Sequence, residues 1–150
     1  MADWTIETIY SGSAPFCSPM REASPCLVKD ADGIPHVAFQ GGDYFVTYAK
    51  RIESLWTTQD IKSPSGLTDG NLLILADGSL RLSTLRWQST GDEYPYRACK
   101  ILKLADETWS ETYNYDIYHT HSPENSFATG PNGWVLGIGD RGTIKKCVNC

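Results

Sequence analysis

Trp4-Thr-Ile-Glu-Thr-Ile9 returns as Trp56-Thr-Thr-Gln-Asp-Ile61, and more loosely as Trp109-Ser-Glu-Thr-Tyr-Asn114. The tryptophans stand at 4, 56 and 109, so the period is 52 residues and then 53. Each copy is followed by a stretch rich in Ser, Pro and Gly, then by two short apolar runs parted by a glycine turn. The three turns are Asp30-Ala-Asp-Gly33, Ala76-Asp-Gly78 and Gly130-Pro-Asn-Gly133. Asp-Gly and Asn-Gly between apolar runs are hairpin signals, because such turns need a positive φ that Gly and Asn tolerate.

Strands read between these marks form one unit three times over. In the first unit, strand a is about Cys26–Lys29, b Pro35–Phe39, c Tyr44–Lys50 and d Leu55–Ile61. In the second they are Leu72–Ala76, Ser79–Leu85, Arg97–Leu104 and Thr108–Tyr115. The third has a at Ser126–Thr129, b at Trp134–Ile138 and c at Thr143–Cys147. A helical reading is poor, since β-branched and aromatic residues crowd the runs and several alternate with period two. Four short antiparallel strands every 50 or so residues are the signature of a β-propeller blade. The fold class expected is therefore all-β, a single domain with repeats at about 4–55, 56–108 and 109–150. A β-sandwich or barrel with coincidental tryptophan spacing is the alternative.

Composition agrees with a globular β protein. The chain has 150 residues, one domain's worth, with 5 Trp, 8 Tyr and 4 Phe against 2 Met. Thirteen Lys and Arg against 18 Asp and Glu give a net charge of −5, which leaves no basic footprint for nucleic acid. No apolar stretch reaches the length that spans a bilayer. The opening Met-Ala-Asp-Trp lacks a basic segment followed by an apolar one, so the expectation is a cytoplasmic chain or a secreted one supplied in mature form.

Five cysteines cannot all pair within one chain. Cys17 and Cys26 are spaced to close a short loop, Cys147 and Cys150 form a lone C-x-x-C, and Cys99 is left over. A structural zinc site wants a second ligand pair, and His119 with His121, at i and i+2, does not supply one. No metal and no cofactor are expected.

Ala31-Asp-Gly-Ile-Pro-His-Val-Ala-Phe39, followed by Val46-Thr-Tyr-Ala49 and Trp56, resembles the repeat of sialidase-like, Asp-box-type β-propellers. In those repeats an Asp-x-x-Gly-x-Pro-His-Val-Ala-Tyr hairpin leads into Leu-x-Tyr-Ala and a Trp-led outer strand. Gly133-Trp-Val-Leu-Gly-Ile-Gly139 with Gly142-Thr-Ile144 is similar to another propeller repeat. The resemblance covers nearly the whole chain and implies architecture. The Ser-x-Asp-x-Gly-x-x-Trp box of true sialidases is not met in any of the three turns. Half a ring is also too short for a sialidase's arginine triad, Tyr–Glu pair and acidic Asp, so the resemblance supports the fold and weakens the enzyme reading.

Strand counting adds a second expectation. The chain opens with a d-type strand at Trp4–Tyr10, and its third unit has no d strand. Propellers have typically 4–8 blades, so three are too few and two chains supply six. A homodimer with twofold symmetry then follows, sealed by the first strand of one chain pairing with Thr143–Cys147 of the other.

Ligands of propellers meet the d–a and b–c connections around one mouth. The expected b–c loops are Gln40–Asp43, Arg86–Tyr96 and Gly139–Arg141, and the d–a loops Ser11–Pro25, Lys62–Asn71 and His119–Asn125. Candidate polar groups there are Arg21, Glu22, Asp43, Arg86 and Asp92, then His119, His121, Glu124 and Arg141. Tyr44, Trp87, Tyr94 and Tyr96 are interleaved with them. Flat rings beside carboxylates and guanidinium groups suit a sugar, whose apolar face stacks while planar forks bind hydroxyls or a carboxylate. The longest b–c insertion, Arg86–Tyr96, is the favoured ligand loop. No nucleophile elbow, phosphate loop or zinc-protease motif is present. Asp92 with Glu124 is the carboxylate pair open to a glycosidase. The expected function is a module that binds carbohydrate or another small polar ligand, with a sialidase-like hydrolase or lyase and a protein-interaction scaffold as alternatives.

Overall fold

A computed structural model describes residues 6–9, 26–42, 45–62, 67–88, 96–118, 125–130, 133–138 and 143–148. Every described element is a β-strand. Sheet 1 holds β1 (Cys26–Lys29), β2 (Pro35–Gly42), β3 (Phe45–Ile52) and β4 (Leu55–Lys62). Sheet 2 holds β5 (Thr68–Ile74), β6 (Leu80–Gln88), β7 (Tyr96–Ala105) and β8 (Thr108–Tyr118). Sheet 3 holds β9 (Asn125–Gly130), β10 (Gly133–Ile138) and β11 (Thr143–Val148). Each is an antiparallel meander in chain order. The all-β class is as the sequence implies, with two four-stranded antiparallel sheets.

The turns are built by local chemistry. Asp30 and Gly33 close the first hairpin, with Gly33 N–H donating to the Asp30 carbonyl at 3.1 Å and Gly33 at φ 83°. Gly78 does the same to the Leu75 carbonyl at 2.9 Å, with φ 80°. A side chain is strained at that φ, so the two glycines fix where β1 and β5 turn back. Each turn is also tied by its aspartate, Asp30 Oδ1 accepting from Ile34 N–H and Asp77 Oδ1 from Ser79 N–H.

Sheets 1 and 2 pack face to face. Even-numbered residues of β3 share one face with Ala38, and that face meets Leu72, Leu80, Leu82 and Leu102 of sheet 2 in a common core with Val46, Tyr48, Ile61 and Leu67. Tyr48 takes Trp109 edge-on, centroids 5.2 Å apart. Trp109, one of the three period-marking tryptophans, thus packs between sheets. Outward along the same face, Lys50 pairs with Glu107 at 2.6 Å. Towards the inside, β5 lies against β1 and β2, and β9 lies against β5 and β6. The first strands of successive sheets therefore meet in order.

Several boundaries differ from the sequence reading. The strand expected at Leu72–Ala76 runs Thr68–Ile74, because Leu75 and Ser79 close the hairpin instead. Arg86 and Trp87, expected in a loop, continue β6 as far as Gln88, opposite Ala98, Arg97 and Tyr96. Tyr96 likewise opens β7. The ladder persists because no Gly or Pro interrupts it before Gly91. Residues 6–9, the described part of the expected opening strand, belong to no ladder. Cys26 is a free thiol whose Sγ donates to Asn71 Oδ1, and Cys17 lies outside the described residues. No helix of the described residues is long and apolar enough to cross a membrane.

Candidate functional site

In a meander, successive turns fall at alternate ends of the sheet. The β1–β2, β3–β4, β5–β6 and β7–β8 hairpins share one end. The β2–β3 and β6–β7 connections share the other, together with the connections that lead from one sheet to the next. These two ends are built differently.

The hairpin end carries the best-defined polar cluster of the described residues. Asp30, in the β1–β2 turn, has its Oδ2 3.1 Å from His36 Nε2. His36, on β2, has its Nδ1 2.7 Å from the Tyr48 hydroxyl on β3. Burial, then the charges of Glu107 and Asp30, push the Tyr48 phenol far above its usual range, so it stays protonated. The His36 hydrogen bond, above all, holds the Asp30 carboxyl below the usual carboxylate range. A carboxylate only accepts, so Nε2 carries the proton and donates to Asp30, while the Tyr48 hydroxyl donates to Nδ1. All three groups are satisfied in that arrangement. Tyr48 is 3% exposed and His36 9%, which keeps a substrate from both. The triplet is a clamp that ties the first turn to β3, and through the Tyr48–Trp109 contact to sheet 2.

Of the residues that the sequence singles out, Arg86, Trp87 and Tyr96 are described, and they stand at the connection end. Gln88 stands opposite Tyr96, and Tyr96 opposite Tyr118. Trp87 stands opposite Arg97, and Arg97 opposite Ile117. By register, Trp87 shares one face of sheet 2 with Arg97, and Arg86 and Tyr96 share the other with Tyr118; the sequence reading left out Arg97 and Tyr118. The missing signal is cross-strand register: Arg97 is one residue from Tyr96 in sequence, yet only the ladder sets it beside Trp87. Asp43 and Tyr44 fall in the β2–β3 connection, Asp92 and Tyr94 in β6–β7, and Arg141 in β10–β11. His119, His121 and Glu124 fall in the β8–β9 connection, while Arg21 and Glu22 precede β1. All of these lie outside the described residues, as does Asp92's partnership with Glu124.

Among the described residues no group of three or more His, Cys, Asp or Glu is placed to hold a metal ion. Lys100 is buried and paired with Glu111, and Thr47 donates to Asp60 at 2.9 Å. Both pairs cross from one strand to its neighbour within a sheet. Compared with known proteins, the chain matches no family model, no curated protein and no solved structure. The likeness to sialidase-type repeats is carried by the quoted residues alone.

Proposed function

We propose that the three meanders are propeller-type blades and that the chain is a ligand-binding module for carbohydrate or another small polar ligand. One observation carries this reading: the two longest connections between strands, 89–95 and 119–124, leave sheet 2 at the same end, away from the hairpin clamp. A rigid scaffold with variable connections gathered at one end is how binding sites are commonly presented. The chemistry at that end fits a sugar. Trp87 and Arg97 are cross-strand neighbours on one face of sheet 2, Tyr96 and Tyr118 on the other, and Asp92 and Tyr94 belong to the connection that joins the two strands. Rings offer stacking area to the apolar face of a pyranose, and guanidinium groups offer planar forks.

At the hairpin end, His36 and Tyr48 are buried and bonded to each other. Glycan-array binding followed by titration calorimetry tests the proposal. Binding without turnover, weakened at least tenfold by Trp87→Ala or Arg97→Ala, is the expected result. Absence of glycan binding overturns it. Hydrolysis of a chromogenic glycoside that disappears in Asp92→Asn or Glu124→Gln replaces it with the hydrolase reading.

A further inference from the structure

Gln59, on the outer strand of sheet 1, reaches forward to sheet 2: its Nε2 donates to the Glu107 carbonyl in the β7–β8 turn at 3.3 Å. Glu7 stands one period before Gln59, 52 residues earlier, as Trp4 stands before Trp56. Its carboxylate makes the corresponding reach to sheet 1. Glu7 Oε2 accepts from Trp56 Nε1 at 2.9 Å, and Oε1 from Arg51 Nη2 at 2.8 Å. Arg51 and Trp56 flank the β3–β4 turn as Leu104 and Trp109 flank the β7–β8 turn.

The faces agree as well. Trp109 faces sheet 1, where it meets Tyr48. Trp56 pairs with Arg51, three residues from Tyr48, and so lies on the face of sheet 1 turned away from sheet 2. A preceding blade would pack against that face, and residues 6–9 occupy the place of its outermost strand. Within the described residues they have no strand to pair with. Sheet 3 has the reciprocal lack. It has three strands, and among the described residues nothing pairs with the free edge of β11. An open edge offers a row of N–H and C=O groups to any added strand.

Taking the sheets as propeller blades, as proposed above, we infer that the segment around Glu7 is the fourth strand of sheet 3 in a second copy of this chain. The exchange is mutual, so one twofold axis closes both edges and the two copies form a six-bladed ring. Glu7 then does two things at once: its backbone lies along the partner's β11, and its side chain anchors that completed blade to Trp56 and Arg51 of its own sheet 1.

Sedimentation velocity over a wide concentration range tests this, with Thr8→Pro and Ile9→Pro as variants. Alternate residues of a strand direct their N–H groups to opposite sides, so one of the two substitutions removes a ladder donor. Neither touches a ladder within the described chain. The expected results are a wild-type mass of two chains and at least a tenfold weaker dimer in one proline variant, with unchanged circular dichroism. An excess of a synthetic peptide spanning residues 1–12 is expected to split the wild-type dimer, a readout independent of any variant's folding. A wild type of one-chain mass at every concentration overturns the inference, including the case where Thr8→Pro lowers its melting temperature by undoing closure onto its own β11. A dimer indifferent to both prolines and to the peptide also overturns it. Glycan binding by a monomer removes only the exchange, whereas a dimer that binds no glycan removes only the ligand reading.

Discussion

His36 shows how one side chain can join a turn, a strand and a neighbouring sheet. Its two ring nitrogens are engaged, one by Asp30 and one by Tyr48, and the Tyr48 ring carries the contact on to Trp109. Tyr48→Phe keeps the ring and removes only the hydroxyl, leaving buried Nδ1 without its donor. The expected cost is about 1–3 kcal/mol, read by urea denaturation. The contribution of Asp30 is pH-dependent, and its sign follows from the lowered pKa. A carboxyl held below its unfolded value, about 4, stabilises the fold above that pH and loses the contribution as pH falls through the folded value. Asp30→Asn is therefore expected to lower stability at pH 7 and to flatten its decline below about pH 4. A decline as steep as that of the wild type refutes this origin of the acid sensitivity.

At the scale of elements, glycines decide how closely strands approach. A Cβ on Gly70 would lie 2.7 Å from Val46 Cγ1 and 3.3 Å from Ala38 Cβ, both belonging to residues buried in the shared core. Gly70→Ala therefore pushes β5 away from sheet 1. The expected destabilisation is about 1–3 kcal/mol, and a variant as stable as wild type in urea denaturation contradicts this packing. Turn chemistry made much of the sheet pattern legible in sequence: Gly33 and Gly78 mark the hairpins because their φ demands it, and Trp109 marks the face between sheets. Strand ends were less legible. Arg86 and Trp87 read as loop because they adjoin Gly, Pro and acidic residues, whereas the ladder to β7 carries them on as strand. Arg97 and Tyr118 gain their place only from cross-strand register, which no local pattern encodes. The clamp has no local signal either: Asp30 and Tyr48 reach His36 from six and twelve residues away.

At the scale of the whole molecule, the described sheets stand in series, each first strand against the next. Sheet 1 presents Trp56 on the side away from sheet 2, with only Glu7 shown against its indole nitrogen, and β11 has a free edge among the described residues. If a second copy closes the series, folding and association are linked by mass action. The midpoint of thermal unfolding is then expected to rise with protein concentration, and calorimetry across a hundredfold dilution reads it. A midpoint independent of concentration opposes the linked ring.

The separation of the two sheet ends has a consequence for how such a protein can change. Asp30, His36 and Tyr48 fasten the hairpin end, while Val46, Ile61 and Leu67 pack the core towards the opposite end, so strand residues at both rims hold sheet on sheet. The 89–95 and 119–124 segments join strands and belong to none of the described ladders, so lengthening or rewriting either leaves every described strand pair in place. Edits confined to those two segments are thus spared the penalty of rebuilding the core.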